Sequence, residues 1–251
     1  MSTVEKLDRL IADQLQAALP SAVIGRKIIV LEQAGSTNDA ILQVASPQRA
    51  AVSSLPAVAS AKQGPPSFVD EGLVLFAEHQ TTGRGQRGNR WESTGGKGLW
   101  FSILLRPEIQ LSDSGRLTIW AIEAIADAIR IEFGLEPAIK LPNDIQINGH
   151  KVAGVLVEMR AQNNAPHLAV VGIGINVNQC RDDFPAELQD RAISLAMALG
   201  RQVDRQNFAV ALLRNLDLTY REKFSKAAAA FNSSPASTTT RDRLAAKSRK
   251  A

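Results

Sequence analysis

The sequence predicts an α+β fold: a mixed, largely antiparallel sheet with helices packed on one side. Three observations carry this. Helical segments and hairpin-linked strands follow one another along residues 26–223, Asn148-Gly149 supplies the strongest short hairpin signal, and residues 116–133 form the clearest amphipathic helix.

In chain order, residues 3–19 alternate charged and apolar positions at helical spacing, and 26–33 ("RKIIVLEQ") read as a first strand. "GSTNDAILQVAS" follows as a helix with Ser36 or Thr37 at its N-cap and Ala40, Ile41 and Val44 on its apolar side. Residues 47–71 are rich in Ala, Ser and Pro without a sustained period, the pattern of an inserted surface loop. Strands are expected over 72–80 and 98–107, the second ended by Pro107. The helix over 116–133 sets Arg116, Glu123, Asp127 and Arg130 on one side and Trp120, Ala124, Ile125, Ala128 and Ile129 on another. Strands then flank the Asn-Gly turn, "HLAVVGIGINVN" (167–178) adds a further strand, and a helix over about 204–223 precedes a low-complexity end. The domain reading is therefore an N-terminal helix in 1–25, a main domain over 26–224 that includes the 47–71 insertion, and a basic tail over 225–251.

Bulk properties exclude several classes. A content of 45% hydrophobic and 22% charged residues is ordinary for a globular protein, and no run of about 18 apolar residues could span a membrane. The first twenty residues lack the pattern of a secretory signal. Cys180 is the single cysteine, which fits a reducing cytoplasm and rules out an internal disulfide. The net charge of +4 comes from residues 226–251, which carry +5, so the remainder stands near −1. A basic tail is not a basic binding face.

The segment "TTGRGQRGNRWES" (81–93) places three glycines and three arginines between two strands. Gly83, Gly85 and Gly88 would allow positive φ and turn N–H groups toward an anion, while Arg84, Arg87 and Arg90 add planar charged donors. On composition alone the alternative is a mobile, solvated basic loop, the less favoured of the two readings. No Gly-Lys-Ser/Thr ending makes it a P-loop. Gly172-x-Gly174 lacks the third glycine of a dinucleotide fingerprint, because Val177 stands there. Two glycines in an apolar strand mark either close sheet packing or the approach of a ligand. "KLPNDIQINGHK" brings Lys140, Asp144 and Lys151 around a turn. Asp144 reads as a partner for a metal or an ammonium group, or as a turn former, and Lys151 as a solvated hairpin lysine. His79, His150 and His167 have no metal-ligand spacing, and no Gly-x-Ser-x-Gly elbow is present.

Taken together and in order, "STN" (36–38), "AEHQTTGRGQRGNRWES" (77–93), "GKGLWFSILLRP" (96–107), "KLPNDIQINGHKVAGVLVE" (140–158) and "VVGIGINVN" (170–178) closely resemble the biotin protein ligase family, over roughly residues 26–200. The resemblance implies the class II synthetase-like fold of biotin and lipoate ligases. It also implies a cytoplasmic, ATP-dependent, AMP-forming ligase that makes biotinyl-5′-AMP from biotin and Mg-ATP. Such an enzyme passes biotin to a lysine of the biotin carboxyl carrier protein of acetyl-CoA carboxylase. Lys151, Arg84 and Asp144 would be catalytic, and Asp144 would also hold Mg2+. By the same resemblance Ser36, Thr37, Asn38, Gln80, Gly83, Arg84, Lys151 and Gly154 would bind biotin. Arg84, Gln86, Arg87, Trp91, Lys140, Asn143, Gly174 and Asn176 would bind ATP and the adenylate, with Trp91 closing over it.

Three departures from the family pattern stand out. Gln86 replaces the second arginine of Gly-Arg-Gly-Arg, which implies a weaker hold on the adenylate. The segment before the first strand is too short for the DNA-binding domain of some members, so no DNA partner is expected. The usual C-terminal β-barrel has no counterpart in the tail. The resemblance leaves room for a homodimer. The rival readings are a lipoate or octanoate ligase or transferase of the same fold, and a non-catalytic biotin- or nucleic-acid-binding protein.

Overall fold

The computed structural model describes residues 8–20, 22–45, 71–161 and 167–224. The basic tail, nearly all of the 47–71 insertion and the first residues of the N-terminal helix lie outside that set. Seven strands form one sheet: β1 (Lys27–Ala34), β2 (Leu73–Gln80), β3 (Gly98–Leu105), β4 (Ala138–Lys140), β5 (Asp144–Ile147), β6 (His150–Arg160) and β7 (Leu168–Asn176). Their order is β1-β2-β3-β7-β6-β5-β4. Only β1 and β2 run parallel, and every other pairing is antiparallel, so the expected mixed sheet is what forms. Among the described residues five α-helices accompany it: α1 (Ala12–Ala17), α2 (Thr37–Ala45), α3 (Ser114–Phe133), α4 (Leu195–Leu199) and α5 (Arg205–Phe224).

The period-2 alternation of strand side chains divides the apolar residues between two faces. Val74 and Phe76 of β2 join the large core, where α3 contributes Trp120, Ile125 and Ile129 and α5 contributes Phe208, Leu212 and Leu216. Leu73 and Leu75 point the other way and meet Ile41 and Leu42 of α2 together with Leu104 and Val170. One helix therefore departs from the expectation of helices on one side: α2 covers part of the opposite face. It leaves the rest of that face open.

Local signals explain the element ends. Asn148 and Gly149 take φ of 52° and 80°, the two left-handed positions that let a two-residue turn follow the strand twist. α3 stops at Gly134, whose φ of 65° allows its N–H to reach the carbonyl of Arg130. The N-terminal helix is shorter than its pattern. Residues 8–11 are not helical, because the Leu10 N–H donates to Glu78 Oε1 at 2.8 Å and the Ile11 N–H to Gln206 Oε1 at 3.0 Å. Bonds to distant side chains replace the first helical turn. No helix among the described residues is long and apolar enough to cross a membrane.

Candidate active site

The open part of the α2 face is a cavity of about 260 Å3 over β6 and β7. Its floor is backbone. Gly154 and Gly174 face each other across β6 and β7, and Gly172 lies two residues further along β7. A Cβ on Gly174 would lie 2.5 Å from the Trp91 indole, and one on Gly154 would lie 2.9 Å from it. These glycines thus mark the close approach of a side chain. The indole N–H of Trp91 is buried there without a hydrogen-bond partner among the described residues.

At one end the N-terminus of α2 brings Ser36, Thr37 and Asn38, all buried, against the end of β2. Gln80 Oε1 accepts from the Thr37 N–H at 2.9 Å and from Thr37 Oγ1 at 3.2 Å. Ser102 Oγ donates to Asn38 Oδ1 at 2.6 Å. The side chains this end presents to the cavity, Ser36, Thr37, Asn38 and Gln80, are uncharged and hydrogen-bonding. Ser102 is the polar residue that sequence reasoning missed, although a lone hydroxyl inside the otherwise apolar strand "GLWFSILL" was the available signal.

Residues 81–93 fold back as a small two-stranded tongue rather than an open loop. The Trp91 N–H donates to Gly83 O at 2.9 Å, the Gly85 N–H donates to Asn89 O at 2.7 Å, and Arg84 bridges antiparallel to Arg90. Of the three glycines only Gly88 takes a positive φ, 78°, and Arg87 shares the left-handed region at 58°. The expected positive φ at Gly83 and Gly85 is absent. Gly83 is required for space instead, since a Cβ there would lie 2.4 Å from the Trp91 carbonyl oxygen. Like charges opposite one another in a ladder repel. Each is offset here: Arg84 Nη2 lies 2.9 Å from both Asp39 and Glu158, and Arg90 Nε lies 3.0 Å from Glu92.

Lys151 reaches the cavity from the far side. The β5–β6 register shifts beside it, and its backbone exchanges hydrogen bonds with Arg191 O (2.8 Å) and the Ile193 N–H (2.9 Å). It is not the solvated hairpin lysine of the local reading. Its Nζ lies 2.6 Å from Asp144 Oδ1 and 5.1 Å from the Trp91 ring centre. The contact with Asp144 is one of charge, off the line of a hydrogen bond. Asp144 opens β5, so the turn falls on residues 141–143, where the Leu141-Pro142 bond is cis. Asn143 ties that turn to β6: its Nδ2 donates to Val155 O at 2.9 Å.

Arg84 and Lys151 therefore line one shared cavity, together with Ser36, Thr37, Asn38, Gln80, Gln86, Arg87, Trp91, Lys140, Asn143, Asp144, Gly154 and Gly174. Two expected residues fall outside it. Gly83 is a rung of the tongue itself, its carbonyl accepting from the Trp91 N–H. Asn176 is buried, donates to Ile193 O at 3.2 Å, and lines a second cavity of about 460 Å3. Trp91, Lys140, Asp144 and Lys151 border both cavities, so an elongated ligand could pass from one to the other beneath the indole.

Residues 53–176 match the model of the biotin/lipoate A/B protein ligase family. The biotin–[acetyl-CoA-carboxylase] ligase of Mycobacterium tuberculosis is 31% identical over 84% of this chain and 72% of that protein. The chain belongs to the biotin/lipoate A/B protein ligase family. The bifunctional ligase/repressor BirA of Bacillus spizizenii is 34% identical over 87% of this chain, which spans 61% of that relative's length. The biotin protein ligase from Aquifex aeolicus in complex with biotin and ATP superimposes with a TM-score of 0.60 at 28% identity, covering 79% of this chain and 72% of that one.

Within this family fold the cations of the site are largely neutralised. Arg84, Arg90 and Lys151 each have a carboxylate partner, whereas Arg87 and Lys140 have none among the described residues. No group of three or more His, Cys, Asp or Glu side chains among the described residues could hold a metal ion by itself.

Proposed function

We propose that this protein is a biotin protein ligase that forms biotinyl-5′-AMP and transfers biotin to a carrier lysine. One observation carries the reading. A neutral hydrogen-bonding end and two cations from distant elements line a single cavity floored by glycines. A ureido ring needs uncharged donors and acceptors, which Ser36, Thr37, Asn38 and Gln80 supply. The ring would sit at that end, with the carboxylate directed toward Lys151 and the adenosine continuing into the second cavity beside Asn176.

In the first step a biotin carboxylate oxygen bonds to the α-phosphorus of ATP, and the bond from that phosphorus to the bridging oxygen breaks, releasing pyrophosphate. Anion meets anion, so the barrier falls where fixed cations stand at the reacting phosphorus. Lys151 and Arg84 would supply them, with Arg87 and Lys140 at the rim. Trp91 would move off the glycine floor and cover the mixed anhydride, excluding water. In the second step a carrier lysine attacks the acyl carbon, AMP leaves, and the ammonium proton passes to a base, for which Asp144 is the nearby carboxylate.

Mg2+ is typically held by one or two carboxylates plus substrate phosphates. Asp144 is the carboxylate that lines the cavity and would be the residue to hold the ion, exchanging its contact with Lys151, and a bound magnesium ion would offset charge on the triphosphate. Arg84 and Arg90 are tied to carboxylates, which speaks against a nucleic-acid surface. The test is ATP–pyrophosphate exchange. Exchange that depends on biotin and not on lipoate, followed by labelling of a carrier domain, is expected. Exchange with lipoate alone would transfer the assignment to the lipoate branch of the family.

A further inference from the structure

Glu158, near the end of β6, closes the 140–158 motif without a site role of its own, yet it joins the two ends of the cavity. Its Oε2 accepts from Asn38 Nδ2 at 2.6 Å and from Arg84 Nη2 at 2.9 Å. Asn38 is fixed from its other side by Ser102 Oγ, a hydroxyl with no exposure. A Cβ on Gly172 would lie 2.3 Å from Asn38 Oδ1, so β7 is cut away to seat this amide. Arg84 has no such packing. Its side chain is 40% exposed, and an exposed ion pair alone holds a side chain weakly. Nη2 divides its two hydrogens between Glu158 and Asp39, and the hydrogens on Nη1 and Nε have no partner among the described residues. The arginine is thus anchored by one nitrogen and leaves the rest of its fork for a ligand.

We propose that Glu158 is a positioning residue that couples the ring end of the site to the arginine arm. A single carboxylate oxygen sets Asn38 and Arg84 together, in a connected polar chain whose members polarise one another. Occupation of the ring end and placement of Arg84 on the adenylate are then linked through it. This rests on the biotinyl-adenylate reading above.

The test compares Glu158→Leu, which removes the acceptor, with Glu158→Gln, which keeps an oxygen without the charge. Two quantities are measured in the full chain: the biotin KM in pyrophosphate exchange, and the rate at which preformed biotinyl-AMP leaves. A thermal melt accompanies each. Both quantities should rise about tenfold in Glu158→Leu, the scale of one lost charge-assisted hydrogen bond, and recover in large part in Glu158→Gln. If Glu158→Leu does not fold, a smaller joint rise in Glu158→Gln carries the same meaning. A purely structural role would lower the active fraction and leave both quantities at wild-type values. That result, or a change in one quantity without the other, overturns the coupling. Absence of biotin-dependent exchange in the wild type would instead overturn the ligase reading beneath it.

Discussion

Lys151 and Arg84 each lie against carboxylates, at 2.6 Å from Asp144 and 2.9 Å from Asp39 and Glu158. An incoming anion therefore exchanges one carboxylate for another instead of meeting a bare cation. The exchange is favourable only if the displaced carboxylate gains a partner of its own, as Asp144 would beside Mg2+. Gln86 bears on the same balance. It lines the cavity with Arg84 and Arg87 but adds no charge. Gln86→Arg should slow the dissociation of biotinyl-AMP by about five- to tenfold, since hydrogen bonds from charged donors are worth about 1 kcal/mol more than neutral ones. A filter-binding chase with labelled intermediate measures this, and an unchanged rate would show that Gln86 lies outside the adenylate's reach. Arg84 and Lys151 were legible in the sequence because they sit inside spaced motifs. So was Asp144, the partner of Lys151, but the carboxylates that pair with Arg84 were not, because Asp39 and Glu158 are brought to it from 45 and 74 residues away.

The elements were legible where a local rule decides them. The Asn148-Gly149 turn, the buried stripe of α3 and the arrest at Gly134 all follow from backbone preference or from period. The face taken by α2 was not, because an amphipathic stripe says that a helix packs and not on which side of a sheet. The tongue was hidden by its composition: glycine and arginine suggest disorder until Trp91 and its cross-strand bonds are placed. Just beyond the tongue, Thr94 and Lys97 hold the short 3-10 turn Arg181–Asp183 through Asp183. Burial pushes the Asp183 carboxyl up, but Lys97, the Cys180 N–H and the Cys180 thiol outweigh it and hold the group below its ordinary value of 3.8. A carboxylate with a depressed folded pKa stabilises the fold above its unfolded value, and that contribution disappears as pH falls through the folded one. Lys97→Met should therefore lower the melting temperature at pH 7, and the gap to wild type should close as the pH drops below 3.8. Melts across that range measure it, with the Asp183 carboxyl followed by NMR. A gap that persists unchanged to low pH would assign the loss to packing.

The whole molecule is held together at a point that no local pattern marks. Arg205, the first residue of α5, has no exposed surface, and its partner Glu78 lies 127 residues away on β2. Its Nη1 donates to Glu78 Oε2 and to Gly98 O, each at 2.9 Å, and its Nε lies 3.1 Å from Asp8 Oδ2. One guanidinium thus ties the N-terminal segment, the end of β2, the start of β3 and the start of α5. β2 and β3 are the strands whose facing ends carry the tongue, so the frame of the site passes through this ion cluster. A buried pair of this kind adds little over a well-packed apolar replacement, because desolvation offsets the attraction, but removing one partner strands the other. Arg205→Met should cost about 3–5 kcal/mol, since it leaves the Glu78 carboxylate buried without its cation. Adding Glu78→Gln to that variant should restore part of the loss, as no buried charge then remains uncompensated. Urea unfolding followed by tryptophan fluorescence measures both. A loss below about 1 kcal/mol in Arg205→Met would place it among ordinary surface pairs and show that the packing of α3 and α5 alone secures the frame. A double variant weaker than the single one would mean that Glu78 matters chiefly through the Leu10 N–H, which Oε1 accepts at 2.8 Å, and not through the arginine.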